Sequence, residues 1–297
     1  LWMGQKLNPD IPLYNMILTF RWKVRIDEAR FGQAWQRLVE QNEALRSVIR
    51  EENGQPTQEV LAAMPESLQI VDLSARPADL ASWIDAQRQR IFDVERCLYH
   101  SALIRLGEDD YLWYLNQHHL FTDGWSSSVV YRRQLEFYEG TITETSLPPQ
   151  YGDYISFEQA KRRGAAQTAQ QFWDKKLARH HTSPISLYGR PTGNLSPRTT
   201  RVARELGTDL TERLKALSSQ NGILTLTPNL AMFQIFATTL FAWVHRASGI
   251  DKLAIGAPSH NRPSKSFKET IGVFIEIFPM LAEFDEEETF MSLFKKV

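Results

Sequence analysis

Cysteine is nearly missing from this chain: Cys97 stands alone among 297 residues. No intrachain disulfide can form, and a thiolate cluster around a metal is excluded. Nothing beside Cys97 in sequence would lower its pKa, so it reads as a small residue near a strand start rather than a nucleophile. An excess of either charge is also lacking, with 34 Lys and Arg against 35 Asp and Glu, a formal net charge of -1. No global field therefore favours nucleic acid or an anionic membrane surface. Long apolar runs are missing too, since none approaches the ~20 residues that a membrane helix needs. The opening Leu1-Trp2-Met3-Gly4-Gln5-Lys6-Leu7 does not have the charged-then-apolar build of a signal peptide. A reducing, cytoplasmic setting fits these absences. What is present is an apolar content of 42%, with 11% aromatic, in a chain long enough to bury a large core or two lobes.

The most informative segment is Asn116-Gln117-His118-His119-Leu120-Phe121-Thr122-Asp123-Gly124-Trp125-Ser126, which holds an HHxxxDG pattern. The run before it, Tyr111 to Leu115, is aromatic and aliphatic, as in a strand buried on both faces. Side chains alternate along a strand, so His118 and His119 should point to opposite faces and only one should readily face a given channel. Beyond Gly124, Tyr131, Leu135 and Tyr138 fall at i, i+4 and i+7, and Ser126 to Ser128 supply capping-type residues, which predicts a helix from near Trp125. The motif thus occupies a strand-to-helix turn at a helix N-terminus.

This pattern resembles the core motif of the condensation domains of nonribosomal peptide synthetases, within the chloramphenicol acetyltransferase-like superfamily of carrier- or CoA-dependent acyltransferases. Further landmarks follow in the family's order: Leu1 to Asn15, Glu43-Ala44-Leu45-Arg46-Ser47, Tyr151-Gly152-Asp153-Tyr154, Phe172-Trp173-Asp174-Lys175-Lys176-Leu177, Ile255-Gly256-Ala257-Pro258 and Ile271-Gly272-Val273-Phe274. The resemblance implies an α/β fold of two chloramphenicol acetyltransferase-like lobes, mixed sheets flanked by helices, set in a V shape. The closing Glu286 to Val297 reads as the opening of an amphipathic helix, and against the family the last part of the second lobe is expected to be missing.

Along the chain, Glu28 to Gln41 predicts a helix, Leu45 to Arg50 a short strand before a turn at Asn53-Gly54, and Asp79 to Arg90 a second helix. Leu98 to Leu106 and Tyr111 to His119 predict a hairpin. Pro148 and Pro149 break the pattern, giving expected boundaries of 1–146 for an N-terminal lobe with the motif, 147–158 for a linker and 159–297 for a C-terminal lobe. Gln159 to Leu177 predicts a long helix, Ser183 to Thr200 a loop, and Asp209 to Ser219 a helix. Thr227-Pro228 to Arg246 predicts another, with Gly249 beyond its end and apolar residues nearly all round, hence buried. Lys252 to Pro258 and Gly272 to Phe284 predict strands around a basic loop, His260 to Lys268.

Joining an amine to a thioester requires a proton to leave the amine and an oxyanion to be stabilised. Imidazoles in general titrate near pH ~6.5 and can take such a proton at neutral pH, while an amine already partly neutral needs only orientation. By the resemblance, His119 fills one of these two roles, and His118 is structural. Two readings of Asp123 stay open: it orients the imidazole, or it anchors the loop through an arginine. The resemblance favours the anchor, with Arg46 as partner. Gly124 either lets backbone approach the substrate or takes a positive φ, and its amide at a helix start could serve an oxyanion. Trp125, Ser126, Asn261 and Arg262 are candidates for the substrate channel. His180-His181 has no companion at metal-ligand spacing, and no metal site is expected.

The function implied is amide-bond formation between a carrier-bound acyl or peptidyl thioester and a carrier-bound aminoacyl group. Donor and acceptor carrier domains and an adjacent adenylation domain are the partners implied. Phosphopantetheine would belong to the carriers, so no cofactor is expected on this chain. The alternatives are an acyltransferase with a hydroxyl or free amine acceptor and an inactive carrier-docking domain. Gln41-Asn42-Glu43 and Glu276-Ile277-Phe278 depart from the family's usual residues, which leaves donor and acceptor preferences open, while Asp-Gly-Trp-Ser favours condensation over epimerisation.

Overall fold

The computed structural model describes residues 1–142, 147–178, 202–220 and 226–297, with 185, 197, 222 and 223. His180, His181 and nearly all of the loop expected at 183–200 lie outside them. Among the described residues the chain divides into two compact units, one of Leu1–Arg162 with His260–Ile275, the other of Arg163–Ser259 with Glu276–Val297. The α/β class is the one expected.

The first unit is built on four strands, β1 (Asn15–Trp22), β4 (Gln69–Asp72), β5 (Tyr99–Gly107) and β6 (Asp110–His118), in the order β1-β6-β5-β4. β6 is antiparallel to β1 and β5, whereas β4 runs parallel to β5, so the sheet is mixed. A separate hairpin pairs β2 (Ser47–Glu52) with β3 (Gln55–Val60). Asn53 and Gly54 between them both take positive φ, 53° and 78°, the conformation that a two-residue hairpin turn demands and that Asn-Gly supplies.

The double-sided burial expected for β6 has a clear origin in alternation. Tyr111, Trp113 and Leu115 join Tyr99 and Leu103 in a core closed by α2 (Glu28–Glu40), through Phe31, Trp35 and Leu38, and α4 (Gly124–Glu139), through Val129, Val130 and Phe137. Leu112 and Tyr114 join Ala102, Ile104 and Leu106 on the other face, where Leu80, Trp83 and Ile84 of α3 (Leu80–Arg88) cover them. A short N-terminal helix, α1 (Trp2–Leu7), precedes β1.

Three expectations are corrected. Residues 147–158 are not a linker: α5 (Tyr151–Leu177) begins within them, the Asp153 carboxylate accepting the Gln150 N–H at 2.8 Å. Tyr154 is buried against Phe274, ring centroids 4.2 Å apart, so the prolines stop the chain only as far as residue 150. Residues 260–275 group with the first unit, leaving β8 (Glu276–Glu283), shorter than expected, to pair with β7 (Lys252–Ser259) in the second. Finally, α7 (Pro228–Ser248) has the expected caps, the Thr227 hydroxyl accepting the Leu230 N–H at 3.2 Å and Gly249 at φ 70°, but not the expected burial. It buries Ala231, Ile235, Phe241 and Val244 within its unit, while Phe233, Phe236, Leu240 and Trp243 stay substantially exposed. Among the described residues that unit also holds α6 (Gly207–Ser218), α8 (Phe290–Lys296) and the part of α5 from Arg163 onward.

His100 and His118 are both buried residues of the central strands, and burial lowers each ring's pKa to about 4. An unfolded chain takes up protons at such rings below pH ~6.5, whereas the folded chain refuses them until about pH 4, so stability should be flat above 6.5 and fall on acidification between these limits. The loss should reach up to ~3 kcal/mol per ring. Urea midpoints at pH 7.5 and 4.5 measure it, and His100→Gln should flatten the dependence; identical midpoints at both pH values would contradict the assignment.

Candidate active site

β6 ends at His118, and α4 starts six residues later. Asp123 is the N-cap of α4, its Oδ1 accepting the Ser126 N–H at 2.7 Å. Its carboxylate also accepts two hydrogen bonds from Arg262, Nη2 to Oδ1 and Nη1 to Oδ2, each 3.2 Å, and one from the Phe274 N–H at 3.0 Å. Four N–H donors therefore converge on one carboxylate. Burial alone would push the Asp123 pKa up, but the Arg262 guanidinium and these backbone donors outweigh it and hold the pKa below the usual carboxylate range.

Arg262 is equally enclosed, with no side-chain exposure against 2% for Asp123. Its Nη2 also donates to Ser126 Oγ at 2.8 Å, and its guanidinium carbon lies 4.1 Å from the Phe274 ring centroid. Ser126 Oγ donates in turn to the Gly272 carbonyl at 2.7 Å and accepts the Gly272 N–H at 3.0 Å. Gly272 is required here by close approach: a Cβ would fall 2.1 Å from Tyr151 Cδ2.

Arg46 does not hold Asp123. It closes the 3-10 turn Glu43–Arg46 and spends Nη1 on the Leu61 carbonyl, bracing the far end of the β2–β3 hairpin. The anchoring role inferred for an arginine is occupied by Arg262 instead. Ser126 and Arg262 are likewise not channel residues, because both are buried and their polar atoms serve this network. Asn261 donates to the Tyr154 hydroxyl at 3.0 Å from a strained φ of 41°. Trp125 is 40% exposed, its Nε1 donating to the Lys268 carbonyl at 2.9 Å.

The two histidines meet different fates. His118 Nδ1 accepts the Leu120 N–H at 3.1 Å, which leaves the proton on Nε2 to be donated to Gln5 Oε1 at 3.3 Å. Tyr14 and Phe92 stand edge-on to its ring. Both nitrogens are thus committed. The His119 backbone N–H donates to the Tyr14 carbonyl at 2.9 Å; its ring is half-buried, and its Nδ1 is shielded from solvent with no hydrogen-bond partner among the described residues.

Gly124, at the far end of the same turn, is exposed, has no positive φ, and a Cβ there would meet nothing within 4 Å. The turn geometry does not require a glycine at this position, contrary to one of the two expected reasons for it. Gln5, Tyr14, Gly272 and Phe274 were not singled out as site residues in the sequence; all lay within landmark segments, but nothing in spacing assigned them partners more than 100 residues away. Among the described residues no group of three or more His, Cys, Asp or Glu could hold a metal, and no helix is long and apolar enough to cross a membrane.

Arg262→Ala should leave a buried carboxylate without its cation and cost ~3 to 5 kcal/mol, whereas Arg46→Ala should cost only ~1 kcal/mol for one hydrogen bond. Arg262→Lys should recover little, since a lysine cannot reproduce the two-pronged contact. Urea denaturation separates these outcomes, and equal losses for Arg46→Ala and Arg262→Ala would refute the assignment.

A family model described as the condensation domain matches residues 1–297. The malpinin synthetase of Mortierella alpina is 26% identical over 315 residues, all of this chain but 4% of that protein. The phosphinothricin tripeptide synthetase PhsC of Streptomyces viridochromogenes is 29% identical over 320 residues, 28% of its length. The chain therefore spans a small fraction of the proteins it matches. Among solved structures, the first condensation domain of the calcium-dependent antibiotic synthetase superposes with a TM-score of 0.78 at 22% identity, over 99% of this chain and 70% of that one. At this identity the likeness shows the fold, the chloramphenicol acetyltransferase-like arrangement that the motif implied. The chain belongs to the condensation domain family, whose model spans it from its first residue to its last.

Proposed function

We propose that this chain joins an acyl or peptidyl group, held as a thioester on one carrier protein, to the amine of an aminoacyl group held on another. The amine nitrogen attacks the thioester carbonyl carbon, the C–N bond forms, the C–S bond breaks, and the donor's phosphopantetheine thiol departs. The proton lost by the amine is the one that the leaving sulfur needs. In this reading His119 accepts, passes on or orients that proton; in support, its Nδ1 has no hydrogen-bond partner among the described residues, whereas the His118 ring is engaged with Gln5 and Leu120. Gly124, at the first position of α4, offers an N–H of the kind that a helix start leaves free for an oxyanion. The observation that carries the reading is this half-buried imidazole, its Nδ1 without a hydrogen-bond partner among the described residues, on the turn that leads to an exposed glycine and is clamped by the Asp123–Arg262 pair.

The phosphopantetheine arms are part of the substrates, brought by donor and acceptor carriers, and an adenylation domain in the same assembly would load them. A cytoplasmic setting suits such an assembly. A hydroxyl in place of the acceptor amine would use the same geometry, and a docking module without activity would need none of it.

Mixing donor-loaded and acceptor-loaded carriers with the chain and following the product by mass distinguishes these accounts. His119→Ala should lower the rate ~100-fold or more if the ring moves the proton, and a wild-type rate from that variant would remove His119 from the chemistry. Gly124→Ala should fold as well as the parent, with an unchanged thermal midpoint, because its new methyl meets no neighbour. Its rate should nevertheless drop at least ~10-fold, about 1.4 kcal/mol in the barrier, because alanine keeps the N–H but its methyl takes up the open space in which this reading puts the thioester carbonyl. A loss of thermal stability without a loss of rate would make Gly124 a structural residue.

A further inference from the structure

Two buried side-chain nitrogens close together in the motif strand have no hydrogen-bond partner among the described residues, Nε2 of Gln117 and Nδ1 of His119. Gln117 is wholly buried. Its other amide atom is engaged, Oε1 accepting from Ser127 Oγ of α4 at 2.8 Å, a hydroxyl that also reaches the Asp123 carbonyl at 3.1 Å. The amide is thereby oriented, with its oxygen on the helix and its nitrogen left over.

The backbone places the two side chains together. His118 donates its N–H to the Leu98 carbonyl at 2.8 Å and His119 donates its own to the Tyr14 carbonyl at 2.9 Å, one to each flanking chain, so the extended conformation of β6 runs on through His119. Alternation then puts Gln117 and His119 on one face. It is the face covered by α4, since Tyr99, opposite Gln117, packs in the same core as Trp113 and Leu115. At strand spacing their Cα atoms are ~6.6 Å apart, within the combined reach of a glutamine and a histidine side chain. Other partners are poorly placed. Asn116, whose amide is also unpartnered, falls on the opposite face of the strand, across from His100. Arg262 Nε belongs to a guanidinium already fixed by Asp123, Ser126 and the His260 carbonyl.

The chemistry of the pair is complementary. A primary amide nitrogen donates and does not accept, and a neutral imidazole accepts at whichever nitrogen lacks the proton. Leaving either one buried and unpaired opposes folding, and one hydrogen bond between them removes both costs. We infer that Gln117 is a positioning residue: its Nε2 donates to His119 Nδ1 and so fixes the ring as the tautomer that carries its proton on Nε2. The inference rests on the proposed condensation reaction and narrows the part that His119 plays in it. With Nδ1 occupied by Gln117 and Nε2 already protonated, the neutral ring has no lone pair left for the amine's proton. It gives a hydrogen bond instead, from Nε2–H to the thioester carbonyl oxygen as negative charge collects there, and the amine's proton passes to the departing sulfur without resting on the ring.

NMR of the full chain with nitrogen-15-labelled histidine reads the tautomer directly, with no carrier present. At pH ~8, above the usual imidazole range, His119 is assigned by the loss of its signals in His119→Ala, and it should show a protonated Nε2 and an unprotonated Nδ1. In Gln117→Leu the ring should populate both tautomers, and condensation should slow ~5-fold or more, the worth of one hydrogen bond. His118, whose Nδ1 is taken by the Leu120 N–H, should keep its signals there and report an intact turn. A His119 ring protonated on Nδ1 in the parent protein, which needs no variant to fold, would overturn the inference, and so would a tautomer and rate unchanged by Gln117→Leu. If His119→Ala abolishes product while the parent ring carries its proton on Nδ1, the condensation reading stands and the role of Gln117 alone falls.

Discussion

The buried pair between Asp123 and Arg262 is the constraint on which the site depends. Two ions withdrawn from water cost several kcal/mol each, and their mutual attraction alone does not reliably offset that. The arrangement tolerates the cost because both carboxylate oxygens and both terminal guanidinium nitrogens are hydrogen-bonded, with Arg262 Nε the one buried nitrogen of the pair left without a partner. The carboxylate takes two guanidinium and two backbone hydrogen bonds, and the guanidinium reaches Ser126 Oγ and packs on the Phe274 ring. Net stabilisation is thus a poor description of what the pair does. It specifies position: one side chain caps α4 and also ties Arg262 and Phe274 to the turn, so the start of the helix and residues 260–275 are set together.

Strand alternation supplies the second constraint. β6 is buried on both faces, and a histidine dipeptide at its end must divide between them. His118 falls among Gln5, Tyr14 and Phe92, where both nitrogens find partners and burial keeps the ring neutral. His119 lies one residue past the strand, where the backbone is still held by Tyr14 but the side chain is not. The same dipeptide therefore yields one ring locked into the fold and one left available. No difference in residue type was needed, only a difference in register.

What could be read from the sequence was what local chemistry dictates. The Asn-Gly turn, the Thr-Pro and Gly ends of α7, the period-two run of β6 and the strand-to-helix turn of the motif all carry their cause within a few residues. Partners far apart in the chain were not legible. An arginine partner for Asp123 was one of two open readings, favoured by the resemblance, and spacing cannot choose between one 77 residues upstream and one 139 residues downstream. Nor did the prolines at 148 and 149 reveal that Tyr154 would be drawn into the core by Phe274 and Phe267, which turns an expected linker into the first turn of a helix. For α7, apolar residues on every side pointed to burial, yet its own unit covers only one face.

Packing explains most of the motif, and what it leaves unexplained is the more telling part. His118, Asp123, Ser126 and Ser127 are each accounted for by partners within the chain: remove any of them and a named hydrogen bond is lost. His119 and Gly124 are different. Among the described residues the shielded Nδ1 of His119 has no hydrogen-bond partner, and Gly124 has neither a left-handed backbone nor a crowding neighbour to demand the absence of a side chain. Locally consistent sequences break their own rules mainly at functional sites. A shielded imidazole nitrogen without a partner is a cost to the folded state, and a glycine at a helix start that would accept alanine forgoes helix propensity. Both departures belong to the same clamped turn, one at its start and one at its end, so the residues that the fold does not need are the ones to which the chemistry is assigned.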